Sequence, residues 1–195
     1  CGEEVTHITR EGEGLLVTTS SQALYADRVY STLPAYALAP LLSPLVPQAA
    51  GILRSIAYTS MAVVSVLFSA PLEYKGFGYL VPPEEGSDVL GAVWDHAVFP
   101  SSHALHYPVT FMVKYREGVA EEEYRAIAYK ALRQQMGCER RPDDITVTIC
   151  RRAIPQYHVG YHHSLANLSR YMRDMLPSLR IGGTLASGVA VNDCV

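Results

Sequence analysis

Charge is scarce in this chain of 195 residues and nowhere concentrated. Charged residues make up 18% of it and the net charge is -3 with histidine neutral. There is no basic footprint for nucleic acid and no long run of either sign, which argues against a polyanion-binding role. Cysteine is scarce too. Cys1, Cys138, Cys150 and Cys194 form no Cys-x-x-Cys pair, which argues against a zinc knuckle or a dense disulfide framework and leaves free thiols. No long apolar run is unbroken: the longest, Ala35 to Leu53, contains Pro40, Pro44 and Pro47 and makes a poor membrane span. No internal repeat, low-complexity tract or Gly-x-Gly-x-x-Gly phosphate-binding fingerprint occurs. Ser164, Ser187 and the scattered acids form neither a nucleophile elbow nor a carboxylate pair, which argues against a hydrolase.

What the chain does have is material for a core. It is 49% hydrophobic, enough for one sizeable core and parts of a second. Glu13 to Thr19 and Ala23 to Tyr30 read as the strands of a hairpin across Ser20-Ser21-Gln22. Ala57 to Phe68 is a β-branched apolar run expected to form a central strand buried on both faces. Further strands are expected at Gly78 to Val81, Val89 to Asp95, Val109 to Tyr115 and Ile145 to Arg151. Val119 to Met136 has the three-four apolar spacing of a helix, with acids at its start, bases near its end and Gly137 to stop it. A second helix is expected around Ser164 to Leu176, with Leu165, Leu168, Tyr171 or Met172, and Met175 on one face. Strands followed by helices give an α+β class: a mixed or antiparallel sheet with flanking helices, and βα pieces of another domain at both ends.

The C-terminal stretch is the most telling. Leu179, Arg180 and Ile181 read as a short strand, Gly182, Gly183 and Gly188 as backbone that bends or is closely approached, and Asn192-Asp193 as a helix start. Strand, glycine loop and capped helix together aim free N–H groups at an anionic ligand. Too few residues remain to complete that helix, so the expectation is of a cut end.

Several segments carry a resemblance in the same order along the chain. Gly188-Val-Ala-Val-Asn-Asp-Cys-Val195 resembles the flavin-binding segment near the C-terminus of protoporphyrinogen oxidases. Ala26-Asp-Arg-Val-Tyr-Ser-Thr-Leu-Pro-Ala35 is similar to the return strand by which flavin oxidases of the amine-oxidase superfamily re-enter their dinucleotide-binding domain. Gly76-Phe-Gly-Tyr-Leu-Val-Pro82, then Leu90-Gly91 and Phe99-Pro100, match the protoporphyrinogen oxidase pattern at similar spacing, as does Ala153-Ile-Pro-Gln-Tyr-His-Val-Gly160, read as a crossover that sets geometry.

The resemblance implies residue roles. Phe77, Gly78 and Leu80 would lie against a tetrapyrrole, clamping its flat apolar faces, with glycine allowing close approach; the plainer reading is a tight turn entering a core strand. Met112 would stand at the pocket wall, with core filling as its alternative. Val5, Gly188, Val189, Ala190, Val191 and Asn192 would contact flavin adenine dinucleotide (FAD), Val5 through its backbone unless it is simply strand core. A metal site at His158, His162 and His163 is disfavoured, since no acid or cysteine lies close in sequence and the family uses no metal.

The resemblance further implies an oxygen-dependent enzyme that oxidises protoporphyrinogen IX to protoporphyrin IX in porphyrin and haem biosynthesis. It would remove six electrons in three flavin cycles, pass them to oxygen and yield hydrogen peroxide, so no catalytic acid or base is expected. Residues 1–40 and 179–195 would belong to the FAD-binding domain and 41–178 to the substrate-binding domain. The family's phosphate-binding loop, its membrane-associated helical region and its proposed propionate-binding arginine have no counterpart here. The chain therefore reads as the C-terminal portion of such an enzyme, inactive alone. Its parent would be peripheral at the cytoplasmic membrane if bacterial, or in the mitochondrial inner membrane or plastid if eukaryotic. Two alternatives stay open: another flavin oxidase of the superfamily, such as a carotenoid desaturase or amine oxidase, and a non-enzymatic tetrapyrrole-binding module.

Overall fold

A computed structural model describes all residues except 1, 101–105, 187, 191, 193 and 195. The described elements run β1 (Val5–Glu11), β2 (Gly14–Thr19), β3 (Ala23–Ala26), β4 (Val29–Ser31), α1 (Ala35–Leu42), α2 (Pro47–Arg54), β5 (Tyr58–Phe68), β6 (Gly78–Leu80), β7 (Val89–Val93), α3 (Asp95–Val98), β8 (Tyr107–Lys114), α4 (Glu121–Gln134), β9 (Asp144–Pro155), α5 (Tyr161–Met175) and β10 (Leu179–Ile181). They divide into two compact units, residues 1–58 with 154–195, and residues 59–153. These limits differ from the expected segments 1–40, 41–178 and 179–195. The reason is packing: α1, α2 and α5 bury Leu38, Leu42, Leu53, Leu168 and Met172 in the same core as Leu15 of β2 and Leu179 of β10.

In the unit formed by both chain ends, β1, β2 and β3 make an antiparallel sheet. The single strand expected from Ala23 to Tyr30 is two strands. Asp27 and Arg28 interrupt it, and the chain leaves β2 so that Val29, Tyr30 and Ser31 pair in parallel with Leu179, Arg180 and Ile181. The proline-broken stretch forms two short helices rather than one long one. Pro47 occupies the first turn of α2, where its missing N–H costs nothing. Among the described residues no helix is long and apolar enough to cross a membrane.

The other unit is a sheet in the order β6-β7-β8-β5-β9, with antiparallel ladders from β6 through β5. Its strand β5 departs from the both-faces-buried expectation. Ala62, Val64, Val66 and Phe68 are fully buried, while Met61, Val63, Ser65 and Leu67 between them are half-buried. Alternation at period two is what a sheet covered on one face gives. The covering is α4, whose Tyr124, Ala128, Ala131 and Leu132 join the core of Val64, Ala92, Val109 and Phe111. Acidic Glu121, Glu122 and Glu123 open α4, Arg133 lies in its last turn, and Gly137 follows at φ 64°. This is the charge and glycine order that helix ends favour. The Tyr124 hydroxyl ties α4 to the strand it follows, accepting from Arg116 N at 2.9 Å and donating to Arg116 O at 3.0 Å.

Candidate functional site

The face of the sheet turned away from α4 carries three of the four residues expected at a tetrapyrrole. Ladder pairing sets Leu80 opposite Gly91, Gly91 opposite Met112, and Met112 opposite Val63, so one row crosses four strands on that face. The neighbouring row is Gly78, Val93, Thr110 and Ser65. Neither row holds a charge. A β-bulge between Val89 and Gly91 brings Gly91 into register with Met112, because one extra residue in a strand re-aims those that follow it. Leu80 is 80% exposed although it is a strand residue. Met112 is half-buried, so core filling alone does not describe it. An uncharged surface of leucine, valine and methionine, with Gly91 buried against Leu80, suits a flat apolar ligand.

Phe77 lies outside that row. It immediately precedes β6, is 69% exposed, and sits between Gly76 at φ 103° and Gly78 at φ 148°. Its carbonyl accepts from Trp94 N at 2.9 Å, so its backbone is fixed while its ring stays exposed. The glycine at 78 is required by the protein itself: a Cβ there would stand 2.0 Å from Ala92 O and 3.0 Å from Val93 Cα. Gly91 is equally constrained, since a Cβ would lie 2.5 Å from Tyr79 O and 3.0 Å from Leu80 Cδ2. On the core face between them, the Tyr79 hydroxyl donates to Gln135 Oε1 at 2.7 Å, and burial pushes its pKa up to about 12.

The residues expected at the flavin belong to the other unit. Val5, in β1, stands opposite Thr19 and is half-buried with its side chain packed against the core; the backbone contact expected of it is separate from that packing. Gly182 N donates to Ser31 O at 2.9 Å and extends the parallel pair by one bond. A Cβ on Gly182 would meet nothing within 4 Å, leaving that backbone open. Gly183 turns the chain at φ 71°, where a Cβ would lie 3.3 Å from Thr32 Cβ. Gly188 is buried, its carbonyl 3.6 Å from Cys194 Sγ; Val189, Ala190 and Asn192 are exposed. Val191 lies outside the described residues, and so does Asp193, at which a helix start was expected. From Gly182 to Asn192 no side chain is charged. Open glycine backbone at the carboxyl end of parallel strands fits a dinucleotide, since ligands of such sheets bind there.

Sequence reading missed the structural role of two tyrosines. Tyr157 and Tyr161 donate hydroxyl hydrogens to Thr184 O and Leu185 O, at 2.5 and 2.7 Å. Their position in the Ala153 to Gly160 motif and the helix after it was the only signal. The three histidines near them do not converge. His158 and His162 stand edge-on to the Tyr161 ring, and among the described residues no three His, Cys, Asp or Glu side chains are placed to hold a metal.

Comparison with known proteins identifies the class. Residues 1–182 match the family of flavin containing amine oxidoreductases, and the chain belongs to that family. Within it, the chain is similar over its whole length to protoporphyrinogen oxidases: it is 30% identical to human protoporphyrinogen oxidase, all of this chain aligning with 43% of that protein. It is also 26% identical to coproporphyrinogen III oxidase of Bacillus subtilis, again over the whole chain and 43% of the relative. A solved structure of a protein from Exiguobacterium sp. 255-15 shares the fold, superposing with a TM-score of 0.77 at 19% identity and covering 98% of this chain and 44% of that one. The resemblance read from the motifs and the mixed α/β fold with antiparallel sheets are both supported. The chain spans under half the length of these relatives.

Proposed function

We propose that this chain is the C-terminal portion of an FAD-dependent, oxygen-using porphyrinogen oxidase whose substrate is protoporphyrinogen IX. The observation that carries the reading is the uncharged row of Leu80, Gly91, Met112 and Val63 on the sheet face turned away from α4, in a chain similar throughout to protoporphyrinogen oxidases. Residues 59–153 supply the substrate surface, and residues 1–58 with 154–195 supply part of the flavin site. Leu80 and Met112 hold the macrocycle by apolar contact, Gly78 and Gly91 keep the strands close enough for it to lie flat, and Phe77 supplies an exposed ring at its edge. Gly182, Gly188, Val189, Ala190, Val191 and Asn192 offer backbone and small side chains to FAD. FAD, when bound, supplies the two-electron chemistry and passes the electrons to oxygen. The protein's part is to orient the substrate, which explains why no acid–base pair stands out. This chain by itself lacks the phosphate-binding fingerprint and is expected to show no turnover. Membrane attachment, where the parent has it, belongs to other segments.

The test uses the full-length protein. Its visible spectrum is recorded, and protoporphyrinogen IX and coproporphyrinogen III are then added separately under air while porphyrin fluorescence is followed. The expected result is flavin absorbance and fluorescence rising above the uncatalysed rate, faster with protoporphyrinogen IX. Flavin without porphyrin formation would remove the substrate assignment. A faster reaction with coproporphyrinogen III would move it to that more carboxylated ring.

A further inference from the structure

Residues 188–190 are glycine, valine and alanine, with no side chain able to grip a cofactor by charge or hydrogen bond. Such a segment must present its backbone, so the turn that leads into it has to be fixed by something else. That turn is Gly183–Leu185, and it is held from two sides. On one side Gly182 N bonds Ser31 O at the end of β4, and Gly183 packs on Thr32. On the other, the Tyr157 and Tyr161 hydroxyls donate to two consecutive carbonyls of the turn, Thr184 O and Leu185 O.

The two rings lie 4.6 Å apart and brace each other. Tyr161, 6% exposed, is the first residue of α5, and Gly160 before it takes the φ of 88° that lets the chain enter the helix there. Tyr161 OH therefore reaches the turn from a helix start packed into the core, while Tyr157, 41% exposed, reaches it from the segment before that helix. Burial, with Tyr157 adding to it, pushes the Tyr161 pKa up to about 12, so its hydroxyl keeps its proton at any ordinary pH.

We propose that Tyr157 and Tyr161 are positioning residues: their hydroxyls clamp the Gly183–Leu185 turn and thereby aim residues 188–190 at the flavin, a role that rests on the flavin-site reading above. The pair serves as a remote brace and touches neither substrate nor cofactor.

Tyr157→Phe, Tyr161→Phe and the double variant in the full-length protein test this, because phenylalanine keeps the rings and removes only the donors. Tyr129→Phe, on α4 of the other unit, is the control. Two readouts are taken: amide hydrogen exchange across residues 183–190, and the rate of FAD release followed by flavin fluorescence. Two lost hydrogen bonds to carbonyls are expected to speed exchange in the double variant about tenfold, with FAD release accelerated by a similar factor and each single variant smaller. Tyr129→Phe should change neither. Unchanged exchange in the double variant would overturn the clamp. Faster exchange with unchanged FAD release would overturn its aiming role. A wild-type protein that holds no flavin would overturn the flavin reading and the aiming role with it, while the exchange data, which need no cofactor, would still show whether the clamp exists.

Discussion

Replacing Gly78 by alanine is expected to destabilise the unit of residues 59–153 by at least about 2 kcal/mol and to abolish productive substrate binding. Two costs combine. Gly78 has φ 148°, which a residue with a Cβ adopts only under strain, and the added carbon would stand 2.0 Å from Ala92 O. That oxygen is backbone in the middle of the ladder joining Gly78 to Val93 and Leu80 to Gly91. It cannot swing aside as a side chain end would, so relief requires β6 to move away from β7. Leu80 travels with β6, and the row it shares with Met112 is broken. Gly86→Ala separates the two costs. Gly86 also has a positive φ, 62°, but a Cβ there meets nothing within 4 Å, so it should lose only the roughly 1 kcal/mol of backbone strain. Denaturant unfolding of the full-length variants measures both. Equal, small losses at the two positions would mean that the Ala92 contact relaxes and that β6 is not pinned.

Removing both exposed apolar side chains, in Phe77→Ala with Leu80→Ala, is expected to do the opposite: little to stability and much to substrate affinity. At 69% and 80% exposure these groups contribute little core burial, and surface truncations of that kind stay within about 1 kcal/mol. If a tetrapyrrole covers them, each loses apolar burial worth about 1.5 kcal/mol or more. KM for protoporphyrinogen IX should then rise roughly 100-fold or more, with kcat moving less, because contact made equally to substrate and transition state is removed. Steady-state kinetics beside a melting curve reads both at once. A fall in melting temperature with unchanged KM would make Phe77 and Leu80 structural residues.

Much of this was legible in the chain, and what was not has physical causes. The two helices were visible because their apolar spacing persists over three or more turns, and α4 also carries acids at its start, a base in its last turn and Gly137 after it. The short strand Leu179–Ile181 was read correctly, and the resemblance marked Ala26 to Ala35 as a return strand, but the break at Asp27 and Arg28 and the parallel pairing of Val29–Ser31 with Leu179–Ile181 were not read, since residue periodicity does not say which sheet a strand joins. The uncovered face of β5 was read as buried because valine and methionine are equally at home against a core and against a flat ligand, and composition cannot separate the two. Gly91 entered only as part of a motif; its place between Leu80 and Met112 depends on a bulge, which is a property of two strands and not of one. The tyrosine clamp joins residues 157 and 161 to 184 and 185, and no spacing rule connects side-chain hydroxyls to carbonyls that far along the chain.

The most direct test is the structure of the full-length protein with a tetrapyrrole bound, determined from crystals grown with protoporphyrin IX. The expected result is a macrocycle lying flat on the sheet face turned away from α4, in van der Waals contact with Leu80 and Met112 and with the Phe77 ring at its edge. A macrocycle bound elsewhere, with that face covered by protein, would contradict the assignment of the substrate surface.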